Sequence, residues 1–146
     1  MEGNMDKYSV ELKGNDLIIT LDNQETRNAL SSGLIRKIND SITGLLRDNT
    51  PLRSIIYTHN GPVFSSGDDL NELQAFNDDK TAVKNMFEDF NFLLSFNYSG
   101  EIPTIAHLKG GAIGGGVGLA MSCQYMAIEE NCYFRRNYPA SLSVVT

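Results

Sequence analysis

Two glycine-containing segments carry residues suited to catalysis or ligand binding. The first is Phe64-Ser-Ser-Gly-Asp-Asp-Leu70, and the second is Gly110-Gly-Ala-Ile-Gly-Gly-Gly-Val-Gly118. Glycines at the start of a helix leave backbone N–H groups open to a ligand atom that accumulates negative charge. The second segment therefore predicts half of an oxyanion hole. Close packing of a helix on a strand would require the same glycines, and their spacing alone does not separate the two interpretations.

The glycine spacing excludes the common nucleotide-binding motifs. No three glycines of the run fall at positions i, i+2 and i+5, and no Gly-Lys-Ser/Thr follows it. The chain has 18 Asp and Glu against 12 Lys and Arg, a formal net charge of −6, without a basic cluster that could neutralise phosphates. We therefore expect neither a nucleotide-binding fold nor a nucleic-acid partner.

The cysteines and histidines offer little chemistry. Cys123 and Cys132 form no CxxC pair and have no histidine cluster nearby, so neither a disulfide framework nor a metal site is predicted. This cysteine usage favours a reducing, intracellular setting. His59 and His107 are expected to be packed or surface histidines rather than catalysts.

Hydrophobic periodicity predicts a single α/β domain that places each glycine segment just past a strand. In such sheets ligands bind beyond the carboxyl ends of the strands, so both segments are expected to face one pocket. The predicted strands are Tyr8–Leu12, Leu17–Leu21, Ser54–Thr58, Pro103–Leu108, Tyr125–Ile128 and Cys132–Phe134. Three helices are predicted: the first begins after Ser31 or Ser32 and ends near Asn49, the second runs from about Lys80 to Phe96, and the third covers Leu119–Ser122. Gly110–Gly118 is predicted to be a loop.

The stretch Gly110–Ile128 carries no charged side chain and is about as long as the roughly 20 residues that a membrane-spanning helix requires. Its glycines, with Ser122, Gln124 and Tyr125, make the mean hydropathy poor for insertion. No membrane span is expected, and a membrane-associated glycine-zipper protein is kept as a remote alternative. The first residues have neither the apolar core of a signal peptide nor the composition of a transit peptide.

Four phrases of the sequence resemble, in order and spacing, the crotonase superfamily of enoyl-CoA hydratases and isomerases. They are Asn28-Ala-Leu30, Gly61-Pro-Val-Phe-Ser-Ser-Gly-Asp-Asp-Leu70, Pro103-Thr-Ile-Ala106 and Gly110-Gly-Ala-Ile-Gly-Gly-Gly116. The phrase from Phe64 to Leu73 looks most like the enoyl-CoA hydratase domain-containing protein 3 type within that superfamily. The resemblance covers roughly residues 8 to 134 and implies an α/β spiral of strand-strand-helix units.

The resemblance implies an acyl-CoA thioester as ligand, with its carbonyl between the backbone N–H groups of Asp68 and Gly115. Donors already oriented where charge develops stabilise an enolate without reorganisation. Coenzyme A enters as part of the substrate, so no separate cofactor is expected. Asp69 is expected to hold its loop and to cap the next helix. The residues implied to line the CoA site are Asn28, Ala29, Leu30, Ser65, Gly67, Asp69, Leu70, Gly111 and Gly114.

The positions that hold two glutamates in hydratases of this superfamily hold other residues here. The first corresponds to Gly118, and the second to Tyr138 or Ala140. Adding water across a double bond needs a positioned acid and base, so the usual hydratase chemistry is not expected. One hypothesis is an enzyme of the hydratase/isomerase type in fatty-acid metabolism, whose general base stays open. The Asp68 carboxylate is one candidate, as the proton shuttle of an isomerase, and the alternative is an Asp68 side chain that points to solvent. The other hypothesis is a catalytically inactive protein that binds acyl-CoA or another subunit.

Domains of this superfamily continue into helices that cover the CoA site and build trimers or hexamers. Residues 1–134 are expected to be the N-terminal part of such a domain, truncated before those helices. Residues 135–146 are expected to be a tail that does not match the superfamily's continuation. The oligomers of full-length relatives are therefore not carried over to this chain. A mitochondrial location is implied by the resemblance alone, because the acidic N-terminus shows no import signal.

Overall fold

A computed structural model describes residues 7–136 of the chain. Tyr138, Ala140 and the remainder of the predicted tail after Arg136 lie outside the described residues. The strands are β1 (Tyr8–Lys13), β2 (Asp16–Leu21), β3 (Ala29–Leu30), β4 (Ser54–His59), β5 (Val63–Ser65), β6 (Gly67–Asp68), β7 (Thr104–Leu108), β8 (Gly111–Ile113), β9 (Tyr125–Ile128) and β10 (Phe134–Arg135). The helices are α1 (Ser32–Arg47), α2 (Leu70–Phe76), α3 (Lys80–Ser99) and α4 (Gly115–Ser122).

The described strands form three sheets. The largest has the order β1-β2-β4-β7-β9, in which only the β1–β2 hairpin is antiparallel. The parallel neighbours are joined by crossovers through helices, as parallel pairing requires. A smaller parallel sheet has the order β10-β8-β5, and the two-residue strands β3 and β6 pair with each other. Strands followed by helical structure thus recur along the chain: β1–β3 precede α1, β4–β6 precede α2 and α3, and β7 and β8 precede α4.

Helix α1 covers the large sheet because its apolar residues repeat at three- and four-residue spacing. It begins after Ser31, whose Oγ accepts a hydrogen bond from the Leu34 backbone N–H (3.1 Å). Alternate residues of β2 and β4 point toward this helix side and form the core with it. The fully or almost fully buried members are Leu17, Ile19, Leu21, Leu34, Ile35, Ile38, Ile42, Ile55 and Tyr57.

The hairpin, α1, β4, α3, β7 and β9 confirm the corresponding predictions within a few residues. The predicted loop over Gly110–Gly118 is wrong, because Gly111–Ile113 form β8 and α4 already begins at Gly115. The predicted strand at Cys132–Phe134 is displaced to β10. Pairing between these two strands explains both differences, since the Ala112 N–H donates to the Tyr133 carbonyl (2.9 Å).

The membrane alternative does not fit this arrangement. Gly110–Ile128, the stretch without charges, is divided among β8, the eight-residue helix α4 and β9. Across residues 7–136, none of the helices combines the length and the apolar character that a bilayer span requires.

Candidate functional site

The turn at Gly67 and Asp68 lies directly against the start of helix α4. A Cβ atom added to Gly67 would lie 2.7 Å from the Ile113 carbonyl oxygen and 2.9 Å from the Gly115 nitrogen. Gly67 also has a positive φ of 90°, which side chains disfavour. Only glycine permits this close approach of two backbone segments. The structure therefore brings the two glycine segments together, as the sequence predicts.

Asp68 and Gly115 present polar groups to the same small region. A Cβ atom on Gly115 would lie 3.7 Å from the Asp68 backbone nitrogen and 3.3 Å from Asp68 Oδ1. Gly115 is the first residue of α4, where a helical N–H has no carbonyl partner within the helix and the helix dipole is positive. Burial raises the pKa of the half-buried Asp68 carboxyl. One carboxyl group and two backbone segments can thus reach one ligand.

Ser65 holds the turn in place from beneath. Its side chain is buried, and its Oγ accepts a hydrogen bond from the Gly67 N–H (3.1 Å). The Ser66 N–H donates to the Arg27 carbonyl (2.9 Å), which joins the turn to the preceding loop. A Cβ atom on Gly116 would lie 2.4 Å from the Ser65 carbonyl oxygen, so the second residue of α4 packs directly on this backbone. The Ser65 side chain acts as a support, and its hydroxyl is not exposed to a ligand.

Asn28 has the same supporting role in the loop before α1. Its side-chain nitrogen donates to the Val63 carbonyl (2.9 Å) and the Asn60 carbonyl (3.3 Å). Its Oδ1 accepts from the Asn23 N–H (2.6 Å), and the side chain is almost fully buried. The expected CoA-site residue Asn28 therefore uses its amide to fix backbone. The adjacent Ala29 and Leu30 form β3, which pairs with Gly67 and Asp68 of β6.

The remaining expected residues around Asp68 differ in exposure. Asp69 caps α2, because its Oδ1 accepts from the Glu72 N–H (3.2 Å), which confirms the predicted capping role. Leu70 follows with 62% of its surface exposed, whereas Leu30 is buried in the core. Leu70 is therefore the large apolar side chain of this set that a ligand can contact.

An open cavity of about 440 Å³ lies beside the turn, between the loop before α1 and the start of α2. It contains three of the residues expected to line a CoA site, Asn28, Ala29 and Asp69. Asp68 and Gly115 lie outside its lining. The full lining is Lys7, Leu21, Asn23, Thr26, Asn28, Ala29, Ser31, Ser32, Gly33, Leu34, Asp69, Asn71 and Glu72.

Gly111 and Gly114 have distinct positions in the second glycine segment. A Cβ atom on Gly111 would lie 2.1 Å from the Tyr133 ring, so this ring covers the Gly111 backbone. Arg135 in turn lies 4.9 Å from the centre of the Tyr133 ring. Gly114 is the N-cap of α4, with a φ of 55°. Gly111 thus contacts the chain itself, while Gly114 sets the entry into the helix.

The two histidines are positioned by backbone and by surface groups. His59 is buried, and its Nε2 accepts from the Lys109 N–H (2.9 Å). Burial lowers the pKa of His59, which favours the neutral ring. His107 Nε2 lies 2.8 Å from Glu129 Oε2 near the surface. The packed and surface positions predicted for these residues are found in the structure.

Two residues that shape the site have no assigned role in the sequence analysis, Glu72 and Tyr133. The Glu72 carboxylate accepts hydrogen bonds from Ser32 at the start of α1. The three-residue spacing from Asp69 to Glu72 is a capping-box signal and could have marked this glutamate. No local pattern marks Tyr133, because its contact with Gly111 joins segments that are distant in the sequence.

Comparison with known protein families decides the relationship that these elements suggest. The family model described as enoyl-CoA hydratase/isomerase matches residues 12–140. The chain belongs to the enoyl-CoA hydratase/isomerase family. The resemblance predicted from the motifs is thereby confirmed at the level of the family.

Individual members of the enoyl-CoA hydratase/isomerase family support this assignment. Enoyl-CoA hydratase domain-containing protein 3, mitochondrial, from Danio rerio is 32% identical over 124 residues, which are 85% of this chain and 42% of that protein. Probable enoyl-CoA hydratase, mitochondrial, from Dictyostelium discoideum is 32% identical over 132 residues, which are 86% of this chain and 44% of that protein. The similarity to the domain-containing protein 3 type agrees with the prediction from the phrase around Phe64.

The crystal structure of human enoyl coenzyme A hydratase domain-containing protein 3 has the same fold. Its TM-score is 0.78 at 27% identity, and the match covers 94% of this chain and 53% of that one. The predicted crotonase-like spiral is therefore confirmed. The chain spans about half the length of the relatives that it matches.

Proposed function

We propose that this chain binds an acyl-CoA thioester and stabilises the enolate that forms at the thioester carbonyl. The backbone N–H groups of Asp68 and Gly115 are the proposed donors. The observation that carries the proposal is the close contact between the Gly67–Asp68 turn and the first residue of α4, at the distances given above. Membership of the enoyl-CoA hydratase/isomerase family supports the ligand class.

The proposed step moves one proton and one electron pair. The C–H bond next to the thioester carbonyl breaks, its electrons form the enolate double bond, and the negative charge develops on the carbonyl oxygen. Two preoriented donors stabilise that charge, and removal of one donor of this kind costs about 100- to 1,000-fold in rate. The Asp68 carboxylate is the proposed base that accepts the proton, since Oδ1 lies close to Gly115.

The cavity beside the turn is the proposed site for the polar part of CoA. Its lining includes serine and asparagine residues, which can hydrogen-bond the amides of pantetheine, and Lys7, whose positive charge can oppose phosphate. The lining also includes Asp69 and Glu72, whose carboxylates accept hydrogen bonds from the Glu72 N–H and from Ser32. The family resemblance and the mitochondrial names of both curated relatives support a role in mitochondrial fatty-acid metabolism.

Calorimetric titration with octanoyl-CoA tests the proposal, together with exchange of its alpha protons into deuterated water. Gly115→Pro deletes one N–H at the first helical position, where proline is tolerated. Gly115→Ala keeps the N–H and adds the same Cβ as proline, 3.3 Å from Asp68 Oδ1, so the effect of the lost N–H is the difference between Gly115→Pro and Gly115→Ala. We expect Gly115→Pro to bind about tenfold more weakly and to exchange about 100- to 1,000-fold more slowly. A folded Gly115→Pro chain that binds and exchanges as the parent does would contradict the proposal.

A catalytically inactive acyl-CoA binder or oligomer partner is the second candidate, and Gly118 favours it. This residue stands where the resemblance places a hydratase glutamate, and a Cβ atom here would meet nothing within 4 Å. Gly118→Glu therefore meets no steric obstacle at its Cβ. If the parent is an inactive binder, it binds acyl-CoA without exchange, and Gly118→Glu should raise exchange by about 100-fold or more. Exchange by the parent chain would exclude this candidate.

A further inference from the structure

Glu72 lies on α2 but directs its carboxylate to a different helix. Its Oε1 accepts a hydrogen bond from the Ser32 backbone N–H (2.8 Å), and its Oε2 accepts from Ser32 Oγ (2.7 Å). Ser32 is the first residue of α1, where a backbone N–H has no intrahelical partner. Both carboxylate oxygens are thus used to join the two helix starts.

This contact departs from the local pattern around Glu72. The residues Asp69-Leu-Asn-Glu72 have capping-box spacing, in which the glutamate returns to the N–H of its own N-cap residue. Asp69 makes one of the two hydrogen bonds of this motif, because its Oδ1 accepts from the Glu72 N–H (3.2 Å). The Glu72 carboxylate instead reaches α1, which has no acidic residue in its own first turn. A carboxylate at this end of α1 is favoured by the helix dipole.

Helix α2 depends on polar contacts because it contributes no buried residue to the core. Its seven residues are all exposed or half-buried, and Leu70 at its start is largely exposed. Apolar burial therefore does little to set its position. The contact from Glu72 to Ser32 and the Asp69 cap lie in its first turn, immediately after Asp68.

We propose that Glu72 is a positioning residue for Asp68. By joining α2 to the start of α1, it holds the carboxyl-terminal side of the Gly67–Asp68 turn, while pairing of β6 with β3 holds the other side. This inference rests on the proposed function of Asp68 and deepens it. Without the Glu72 contact, the turn keeps its chain connections but Asp68 samples positions away from Gly115.

Variants at Glu72 separate a positioning role from a general effect on stability. Glu72→Ala deletes both acceptor oxygens, and Glu72→Gln keeps one. Glu88→Ala on α3 is the control, since Glu88 is exposed and its carboxylate lies 3.9 Å from Lys84 Nζ on the same helix. The measurements are hydrogen exchange of the amides of residues 70–76 and the kcat and KM of alpha-proton exchange from octanoyl-CoA.

We expect Glu72→Ala to lower the protection of the α2 amides at least about tenfold, because a hydrogen bond to a charged group is lost. The amides of β4 should keep their protection. The kcat for exchange should fall at least about tenfold, and Glu72→Gln should recover part of it. Glu72 also lines the cavity proposed for CoA, so the readouts of positioning are kcat and the α2 protection, and a change in KM alone would report on the cavity instead. Ser32→Ala should have a smaller effect that disappears in the Glu72→Ala background.

The outcomes distinguish this inference from the function on which it rests. A Glu72→Ala chain that matches Glu88→Ala in both α2 protection and kcat would overturn the positioning role alone. A fall in kcat together with loss of protection throughout the sheet would also overturn it, because that result indicates general unfolding. A parent chain that neither binds nor exchanges octanoyl-CoA would overturn the proposed function itself.

Discussion

At the residue scale, Asp68 combines two functional groups at one position. Its backbone nitrogen and its carboxylate both lie close to Gly115, so a ligand that meets one meets the other. The carboxyl group is half-buried, and burial raises its pKa above the ordinary value of 3.8. A base with a raised pKa binds the abstracted proton more strongly than an exposed aspartate would.

Asp68→Asn is expected to retain octanoyl-CoA binding, because the backbone N–H remains, and to lose alpha-proton exchange by about 100-fold or more. In the parent, only the deprotonated carboxylate accepts a proton, so exchange should rise with pH through a midpoint above 3.8. The measurement is the exchange rate against pH for both chains. Asp78→Asn, at an exposed residue, is the control. Unchanged exchange in Asp68→Asn would remove this carboxylate from the mechanism.

The same raised pKa has a consequence for stability with a defined sign. Its contribution to folding is fully present below 3.8 and is lost as the pH rises through the folded-state value. At neutral pH the half-buried charge is unfavourable for folding. Asp68→Asn should therefore be no less stable toward urea than the parent at neutral pH.

At the element scale, a buried network of hydrogen bonds joins the large sheet, α3 and α4. Tyr57 on β4 donates its hydroxyl to Asn97 Oδ1 (2.8 Å), and Asn97 Nδ2 donates to Ser122 Oγ (3.1 Å) on α4. Thr104 Oγ1 on β7 donates to the Asn97 carbonyl (3.1 Å). All the polar groups of the Asn97 side chain that make these contacts are buried. This hydrogen-bond network positions the carboxyl-terminal end of α4, the helix whose first residue is Gly115.

Tyr57→Phe is expected to lower the free energy of unfolding by about 1–3 kcal/mol, because it leaves buried Asn97 Oδ1 without its donor. Burial raises the pKa of Tyr57, so the hydroxyl is a neutral donor throughout the normal pH range. Urea unfolding measures the change. Tyr98→Phe is the control, since this residue on α3 is largely exposed and its change should stay within about 0.5 kcal/mol. Equal stability of the two variants would contradict a stabilising role of the buried hydrogen-bond network.

At the scale of the whole molecule, two groups make the fold sensitive to acid. Hydrogen bonds from the Arg53 guanidinium and then from Ser54 Oγ (2.6 Å) lower the pKa of Asp16 to about 2. These contacts join the start of β2 to the start of β4. His59, at the opposite end of β4, is held neutral by burial. Protonation of either group is therefore opposed by the folded structure.

Stability is expected to fall in two ranges as the pH decreases. The His59 contribution is present above 6.5 and is lost as the pH falls through its lowered folded-state pKa. The Asp16 contribution is present above 3.8 and is lost as the pH approaches about 2. The measurement is the urea midpoint as a function of pH. For His59→Gln the midpoint should no longer change with pH in the first range, and for Asp16→Asn it should no longer change in the second. A parent midpoint that stays constant across both ranges would refute the assignment.

Features that depend on residues close together in the chain follow from the amino-acid sequence alone. The alternation in β2, the three- and four-residue spacing in α1, and the cap that Asp69 forms for α2 each involve neighbours within a few positions. The motif phrases also identified the family, because their order and spacing are linear properties of the chain.

Features that depend on partners distant in the sequence are set by the folded chain. The two-residue strands β3 and β6 exist because they pair with each other, and the predicted glycine loop becomes β8 because β5 and β10 pair with it. The Asn28 amide donates a hydrogen bond to the Val63 carbonyl, 35 positions away in the sequence. The Glu72 carboxylate accepts hydrogen bonds from Ser32, 40 positions away. A side chain's local pattern does not specify which distant backbone group will lie within hydrogen-bond reach, since the fold as a whole sets that distance.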